Sequence, residues 1–363
     1  ETNNNNKKKK LPTPQKRRDV LIGLSGASLL SHAPYSLSSI EQQQQQPLTD
    51  IGELGLGCWS WGNSFVWGYE ESMDDELQRV FNLAVDRGVR LFDSADSYGK
   101  DGRSEQLLGK FIREYPGDDA KKNDIILATK FAPYPWRVTS SSFVNAAKES
   151  AKRFGKEKID LGQLHWSTGN YQPLQEGALW SGIADAYEEG IIGAVGLSNY
   201  GPRQLQKIHK YMSSRGVKIS TLQVQYHLLS RFPELNGTKE TCDELGIKLI
   251  AYSPLALGLL TGKYSGDVTP DGSRRTYVAD LGGRISESIW PAVDTYLDIA
   301  MTHNLNAAQM ALAWAQSRPF MTSVIFGATT LEQLEIALGA ADLKLSPDIM
   351  NDIATAYRKF PMP

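Results

Sequence analysis

Cysteine is nearly missing from this chain: Cys58 and Cys242 are the only two among 363 residues. Two thiols cannot form a disulfide framework for a chain of this length, so nothing in the sequence demands an oxidising compartment. An excess of one charge is missing too. The 39 basic side chains face 41 acidic ones, with a formal net charge of −2 and a sequence pI near 6.3, which argues against an electrostatic nucleic-acid binder. His32, His165, His209, His227 and His303 are scattered and show no zinc-ligand spacing, so no metal site is expected. No apolar run reaches the roughly 18–20 residues of a membrane span. Working phosphate-loop motifs are also lacking. Gly52-Glu53-Leu54-Gly55-Leu56-Gly57 does not have the dinucleotide-binding spacing, and Tyr264 follows Lys263 where a P-loop needs Ser or Thr.

What is present is unevenly distributed. Residues 3–10 are a run of asparagines followed by lysines, and residues 42–46 are all glutamine. Neither stretch can bury enough apolar surface to offset the entropy of ordering. Between them, Lys16-Arg17-Arg18, the mildly apolar Val20 to Leu30 and Ser31-His32-Ala33 follow the order of a targeting signal. Residues 1–47 are therefore expected to be a plastid-targeting leader, with the stroma favoured over the lumen despite the twin arginine. Residues 48–363 are expected to form one folded domain.

From Leu54 onwards, short apolar runs alternate with segments of helical period, the pattern of parallel βα units. The expected strands are Leu54–Cys58, Leu91–Ala95, Ile125–Phe131, Ile159–Trp166, Ala194–Asn199, Thr221–His227, Lys248–Leu255 and Val324–Ala328. Helical segments separate them, and two more follow the last strand. A buried parallel strand should be almost continuously apolar. Here, instead, Asp93, Lys130, His165, Ser198-Asn199, Gln223 and Tyr252-Ser253 interrupt six of the runs near their C-terminal ends. In a (β/α)8 TIM barrel those ends meet on one face, where active sites are built. An open doubly wound sheet would spread them along a crevice, so the α/β barrel is preferred.

Asp93, Tyr98, Lys130 and His165 suit the reduction of a carbonyl. The developing alkoxide needs a proton, and a phenol with a pKa of about 10 is a poor donor at neutral pH. A neighbouring ammonium should lower that value, and a carboxylate should hold the ammonium in place. A histidine can steer the carbonyl oxygen by a hydrogen bond.

The strings around these residues resemble the aldo-keto reductase family: Leu91-Phe92-Asp93-Ser94-Ala95-Asp96-Ser97-Tyr98-Gly99, Ala128-Thr129-Lys130-Phe131, Gln163-Leu164-His165-Trp166 and Gly196-Leu197-Ser198-Asn199-Tyr200. The resemblance implies NADPH bound across the barrel mouth. It implies a nicotinamide carboxamide held by Ser198, Asn199 and Gln223, an aromatic stack from Tyr252, and pyrophosphate contacts from Ser253, Pro254 and Leu255. Cys58 and Trp59 would border the same cofactor, Lys263 and Arg274 would meet its phosphates, and Gly327, Thr329 and Gln333 would take the adenosine side. The phosphate and adenosine contacts resemble those of the family branch related to potassium-channel beta subunits, from which the sequence departs at Ile336 and Ala337, where a Glu-Asn pair is usual.

Several aromatics fall at or after strands 1, 3 and 4. Trp61, Phe131 and Trp166 are expected to line the substrate pocket and to favour a flat or apolar carbonyl compound. The likeness extends to plastid members of the family around Trp59-Ser60-Trp61-Gly62-Asn63 and Gly162-Gln163-Leu164-His165-Trp166, which points to pyridoxal or another small aromatic aldehyde. The alternative from a different class is a slow-turnover, NADPH-binding, redox-sensing regulatory subunit.

Overall fold

In a computed structural model, which describes residues 48, 50–265 and 289–359, the eight apolar runs become eight parallel strands that close into a barrel in sequence order. They are β1 (Leu54–Gly57), β2 (Leu91–Asp93), β3 (Ile126–Phe131), β4 (Ile159–Leu164), β5 (Ile192–Ser198), β6 (Ile219–Gln225), β7 (Lys248–Tyr252) and β8 (Met321–Phe326). The major helices outside them are α1 (Asp74–Asp86), α2 (Arg103–Glu114), α3 (Ser140–Phe154), α4 (Pro173–Glu188), α5 (Pro202–Ser214), α6 (Thr238–Leu245), α7 (Trp290–Thr302), α8 (Ala307–Gln316), α9 (Leu331–Leu338) and α10 (Pro347–Lys359). This is the expected TIM barrel. Among the described residues, no helix is long and apolar enough to cross a membrane. Residues 1–47, and with them the targeting expectation, lie outside the described residues.

The two-residue period of a strand explains why the barrel is apolar at one end and polar at the other. Leu91 and Asp93 share a face of β2, as do Ala128 and Lys130 on β3, Leu161 and Gln163 on β4, and Ile250 and Tyr252 on β7. The first member of each pair belongs to a buried cluster with Ile126, Ala194 and Ile325, into which Ile51 packs from the chain preceding β1. The second member lies one layer nearer the C-terminal ends. A larger core joins the outer strand faces to the helices, including Leu77, Phe81, Phe111, Ile183, Ile208 and Trp314.

The strands are shorter than expected at every C-terminal end but that of β3, and by two or more residues in β2, β4, β6, β7 and β8. β2 stops at Asp93, β4 at Leu164 and β7 at Tyr252. The chain beyond β2 still bonds to β3, since Ser94 N–H donates to Ala128 O (2.9 Å) and Asp96 N–H to Lys130 O (3.0 Å). Its residues have left the regular ladder and turned into the loop that carries Tyr98. Helix α7 was not anticipated. It opens on Trp290-Pro291, where proline is compatible with the first helical turn, and buries Ala292, Val293, Tyr296 and Ala300 on one face.

Candidate active site

β2 and β3 run side by side, with Asp93 opposite Ala128, which puts Lys130 one inward-facing step further along. Lys130 is 1% exposed, and burying an ammonium is costly unless it is paired and hydrogen-bonded. Its Nζ forms an ion pair with Asp93 Oδ2, donates to Ser94 O at 2.9 Å and donates to Tyr98 Oη at 3.2 Å. The three N–H groups of the ammonium thus have three acceptors. Burial pulls the lysine towards neutrality, but Asp93 and then Tyr98 outweigh it and leave its pKa raised. Lys130 is a fixed cation.

Tyr98 sits half-buried in the loop after β2, and the following Gly99 has a φ of 73°, a left-handed turn that suits glycine. Burial raises the pKa of the phenol, and the Lys130 ammonium pulls it back only in part. The sequence-based expectation of a net lowering is therefore corrected for this conformation: desolvation is the larger effect. Because Tyr98 Oη accepts from Lys130, its own proton is left to donate elsewhere.

His165 follows β4, with its ring centroid 5.8 Å from that of Tyr98 at an interplanar angle of 73°. Burial, helped by the nearby Lys130 cation, holds its pKa well below the ordinary histidine value. The ring is neutral around pH 7, and its Nδ1 is buried with no hydrogen-bond partner among the described residues. The four residues singled out from sequence therefore gather at one mouth.

The second oxygen of Asp93 reveals partners that sequence reasoning passed over or placed elsewhere. Oδ1 accepts from Gln163 Nε2 and from Gln223 Nε2, each at 2.9 Å. Gln163 had no role assigned; the available signal was an amide inside an apolar strand. Gln223 turns its NH2 inward to Asp93, so only its carbonyl is left for a ligand.

At β5 and β7, Ser198 is fully buried and accepts from Asn199 Nδ2 at 3.1 Å. Asn199 also donates to the backbone oxygen of His165 at 3.2 Å and accepts from Tyr252 Oη at 2.9 Å. Its amide bridges the ends of three strands. Asn199 and Ser253 hold φ values of 58° and 53°, a left-handed conformation that non-glycine residues adopt at a cost of order 1–3 kcal/mol and that clusters at functional sites. Pro254 is buried and Leu255 half-buried behind the mouth. Lys263 is exposed, with Nζ 5.6 Å from the Tyr264 ring centroid. Thr329 donates to Gln333 Oε1 through its backbone N–H (2.9 Å) and its hydroxyl (3.2 Å), joining these two expected adenosine-side residues across the start of α9. Gly327 is exposed beside them. Arg274 lies outside the described residues.

Besides Ser198, Gln223 and Pro254, three more expected contacts are buried in this structure. Cys58 is 0% exposed, and burial drives its thiol pKa well up. Trp61 is also 0% exposed: its indole donates to Ala328 O at 2.9 Å and its ring lies edge-on to Phe111. The expectation that Trp61 lines the substrate pocket is corrected to a core role. Phe131 is 1% exposed at the end of β3. By contrast, Trp59 lies half-buried 6.3 Å from the Tyr98 ring. Trp166 lies 4.7 Å from the His165 ring and donates from Nε1 to Tyr171 Oη at 2.7 Å.

A closed parallel barrel with a buried Asp–Lys pair bonded to a tyrosine, and a neutral histidine beside it, defines a class of oxidoreductase. The model of the Aldo/keto reductase family matches residues 53–358, and the chain belongs to that family. It is 46% identical over 314 residues to the chloroplastic pyridoxal reductase of Arabidopsis thaliana, covering 86% of this chain and 84% of that protein. An uncharacterized oxidoreductase of Mycobacterium tuberculosis is 34% identical, with 85% and 91% of the two chains covered. Among solved structures, a thermostable aldo-keto reductase, Tm1743, crystallised with the inhibitor epalrestat, superposes with a TM-score of 0.64 at 27% identity, covering 84% of this chain and 95% of that one. The protein is an oxidoreductase of the kind that reduces carbonyl compounds.

Proposed function

We propose that the protein uses NADPH to reduce an aldehyde or ketone to the alcohol, with Tyr98 as the general acid and pyridoxal or another small aromatic aldehyde as the substrate. The observation that carries this reading is the 3.2 Å bond from Lys130 Nζ to Tyr98 Oη, backed by the buried ion pair to Asp93. The donor set at the mouth fits a nicotinamide carboxamide. Ser198 keeps an O–H to donate, and Gln223, its NH2 committed to Asp93, keeps a carbonyl to accept. Ser198, Asn199, Gln223 and Tyr252 would hold the nicotinamide end; Lys263, Thr329 and Gln333 would hold the phosphate and adenosine end. When bound, NADPH supplies the hydride.

The chain's own residues supply the rest. Neutral His165 offers a hydrogen bond that orients the carbonyl oxygen. Tyr98 delivers its proton to that oxygen as negative charge develops, and the adjacent Lys130 cation stabilises the phenolate left behind. Asp93 keeps the lysine charged and in register. Half-buried Trp59 and Trp166 provide flat apolar surface for an aromatic ring, which favours stacking over solvent contact.

The substrate reading draws on the relative named pyridoxal reductase. The plastid reading draws on that relative's chloroplastic designation and on the composition of residues 1–47. The test is an NADPH-oxidation screen over aldehydes that includes pyridoxal, with NADH in parallel. Tyr98→Phe is expected to bind NADPH, by quenching of protein fluorescence, while losing about 10²–10⁴ in turnover. Normal turnover by Tyr98→Phe would overturn the acid assignment. Sequencing the mature N-terminus from isolated chloroplasts tests the leader.

A further inference from the structure

We infer that Gln163 is a positioning residue for proton donation: with Gln223, it fixes the Asp93 carboxylate in the orientation that leaves Lys130 bonded to Tyr98. This rests on the reading of Tyr98 as proton donor, and it goes beyond that reading by adding a residue that acts through Asp93.

Gln163 is 0% exposed and Gln223 2% exposed, so water is not at hand to replace either amide. An interior barrel position normally takes a branched apolar side chain, and burying an amide there costs free energy unless it is hydrogen-bonded. Both amides spend their N–H groups on the same oxygen of Asp93, at 2.9 Å each, while the other oxygen faces Lys130. Gln223 Nε2 also lies 3.4 Å from Gln163 Oε1, which links the two amides. The carboxylate is gripped on both edges and cannot rotate away from the lysine. The neighbouring strand makes room for this: a Cβ added at Gly196 on β5 would lie 2.8 Å from Gln163 Cγ. Of the two amides, Gln223 is also expected to face the cofactor, whereas the hydrogen bonds of Gln163 go to Asp93 and Gln223.

The titratable groups facing Asp93 are Lys130 from β3, Tyr98 from the loop after β2 and Cys58 from the end of β1, while His165 from the end of β4 faces Lys130 and Tyr252 from β7 faces Tyr98 and Lys130. Freed from its second amide, the carboxylate can turn, and the lysine can follow it away from the phenol. The phenol then loses part of the cation that offsets the effect of its burial.

The test compares Gln163→Met, of similar volume but without a donor, with Gln163→Glu, using kcat across pH, NADPH affinity by fluorescence, and thermal midpoint. Gln163→Met is expected to lose at least about tenfold in kcat, to bind NADPH within about twofold of the parent, and to shift the alkaline limb of kcat to higher pH. Gln163→Glu places two carboxyls on one proton. It is expected to recover activity towards acid pH, where the new carboxyl donates to Asp93, and to lose it as that proton leaves. Unchanged kcat and pH profile in Gln163→Met would overturn the inference, as would losses that are uniform with pH in both variants. If Gln163→Met does not fold, Gln163→Asn, whose amide is too short to reach Asp93, is read by the same criteria. Tyr98→Phe run alongside keeps the two readings apart. Full turnover there removes the Tyr98 assignment, whereas its loss beside an unaltered Gln163→Met removes only the role of Gln163.

Discussion

Glu176 binds Thr168 twice: its Oε2 accepts from the Thr168 backbone N–H at 2.7 Å and from the Thr168 hydroxyl at 2.8 Å. Its other oxygen accepts from Ser167 Oγ at 2.7 Å. Glu176 lies in the first turn of α4, where the helix dipole favours an anion, and its partners belong to the loop that carries His165 and Trp166. Glu176→Ala would leave a buried N–H and two hydroxyls to find new partners. The expected result is a stability loss of about 2–3 kcal/mol and a raised KM for aldehyde, with NADPH affinity retained. Unfolding in urea and steady-state kinetics measure both, and an unchanged KM would show that this loop does not shape the substrate site.

Lys130→Met separates stability from chemistry. Removing one partner of a buried ion pair leaves the other uncompensated, at about 3–5 kcal/mol, and the loss of acid catalysis should cost about 10²–10⁴ in kcat. The double variant Lys130→Met with Asp93→Asn is expected to regain much of the stability and none of the activity. A double variant as unstable as the single one would contradict the pairing argument.

The residues that were legible in the sequence are those whose chemistry clashes with their surroundings. Asp93 and Lys130 stand out because an ionised group closes an apolar strand, and His165 and Tyr98 follow from what those two can do together. Gln163 was harder to see. It carries no charge, and its partner Asp93 is 70 positions away in sequence, brought near only when the barrel closes. Glu176 was hidden for another reason, since an acidic residue in a first helical turn is ordinary and only the fold shows it bonded to the β4 loop. Helix α7 escaped notice because Trp290-Pro291 reads as an interruption until its position in a first turn is known. The limit of β2 was overextended because Ser94 and Ala95 carry no turn signal after Asp93, while the regular ladder stops at Asp93.

Trp61 shows what pattern reading cannot supply, which is the direction of a side chain after a strand. Trp61→Phe removes the indole N–H that meets Ala328 O and leaves that buried carbonyl short of a donor. A stability loss of about 1–3 kcal/mol is expected, with KM for aldehyde unchanged. Trp166→Phe should do the reverse, raising KM with little effect on the thermal midpoint, because its partner Tyr171 is 57% exposed. A KM change in Trp61→Phe without loss of stability would return that residue to the pocket.

Acid sensitivity is expected from a second histidine, His227 in the chain after β6. It is 5% exposed, and burial lowers its pKa from 6.5 to about 3. As pH falls below about 6.5 the unfolded chain takes up this proton and the folded one does not, so unfolding gains from protonation and stability declines. The slope is about 1.4 kcal/mol per pH unit until the folded value is approached. His165, also held neutral by burial, acts in the same direction. Asp96 and Glu105 act against them, because burial raises their folded values and protonation there favours the native state. The decisive comparison is therefore between the parent and His227→Gln, with unfolding free energy measured from pH 7 to pH 4. The variant is expected to show the shallower acid decline, with the two curves parallel above about pH 7. Curves that stay parallel down to pH 4 would mean that His227 charges as readily in the folded protein as in the unfolded one, contrary to its enclosure after β6.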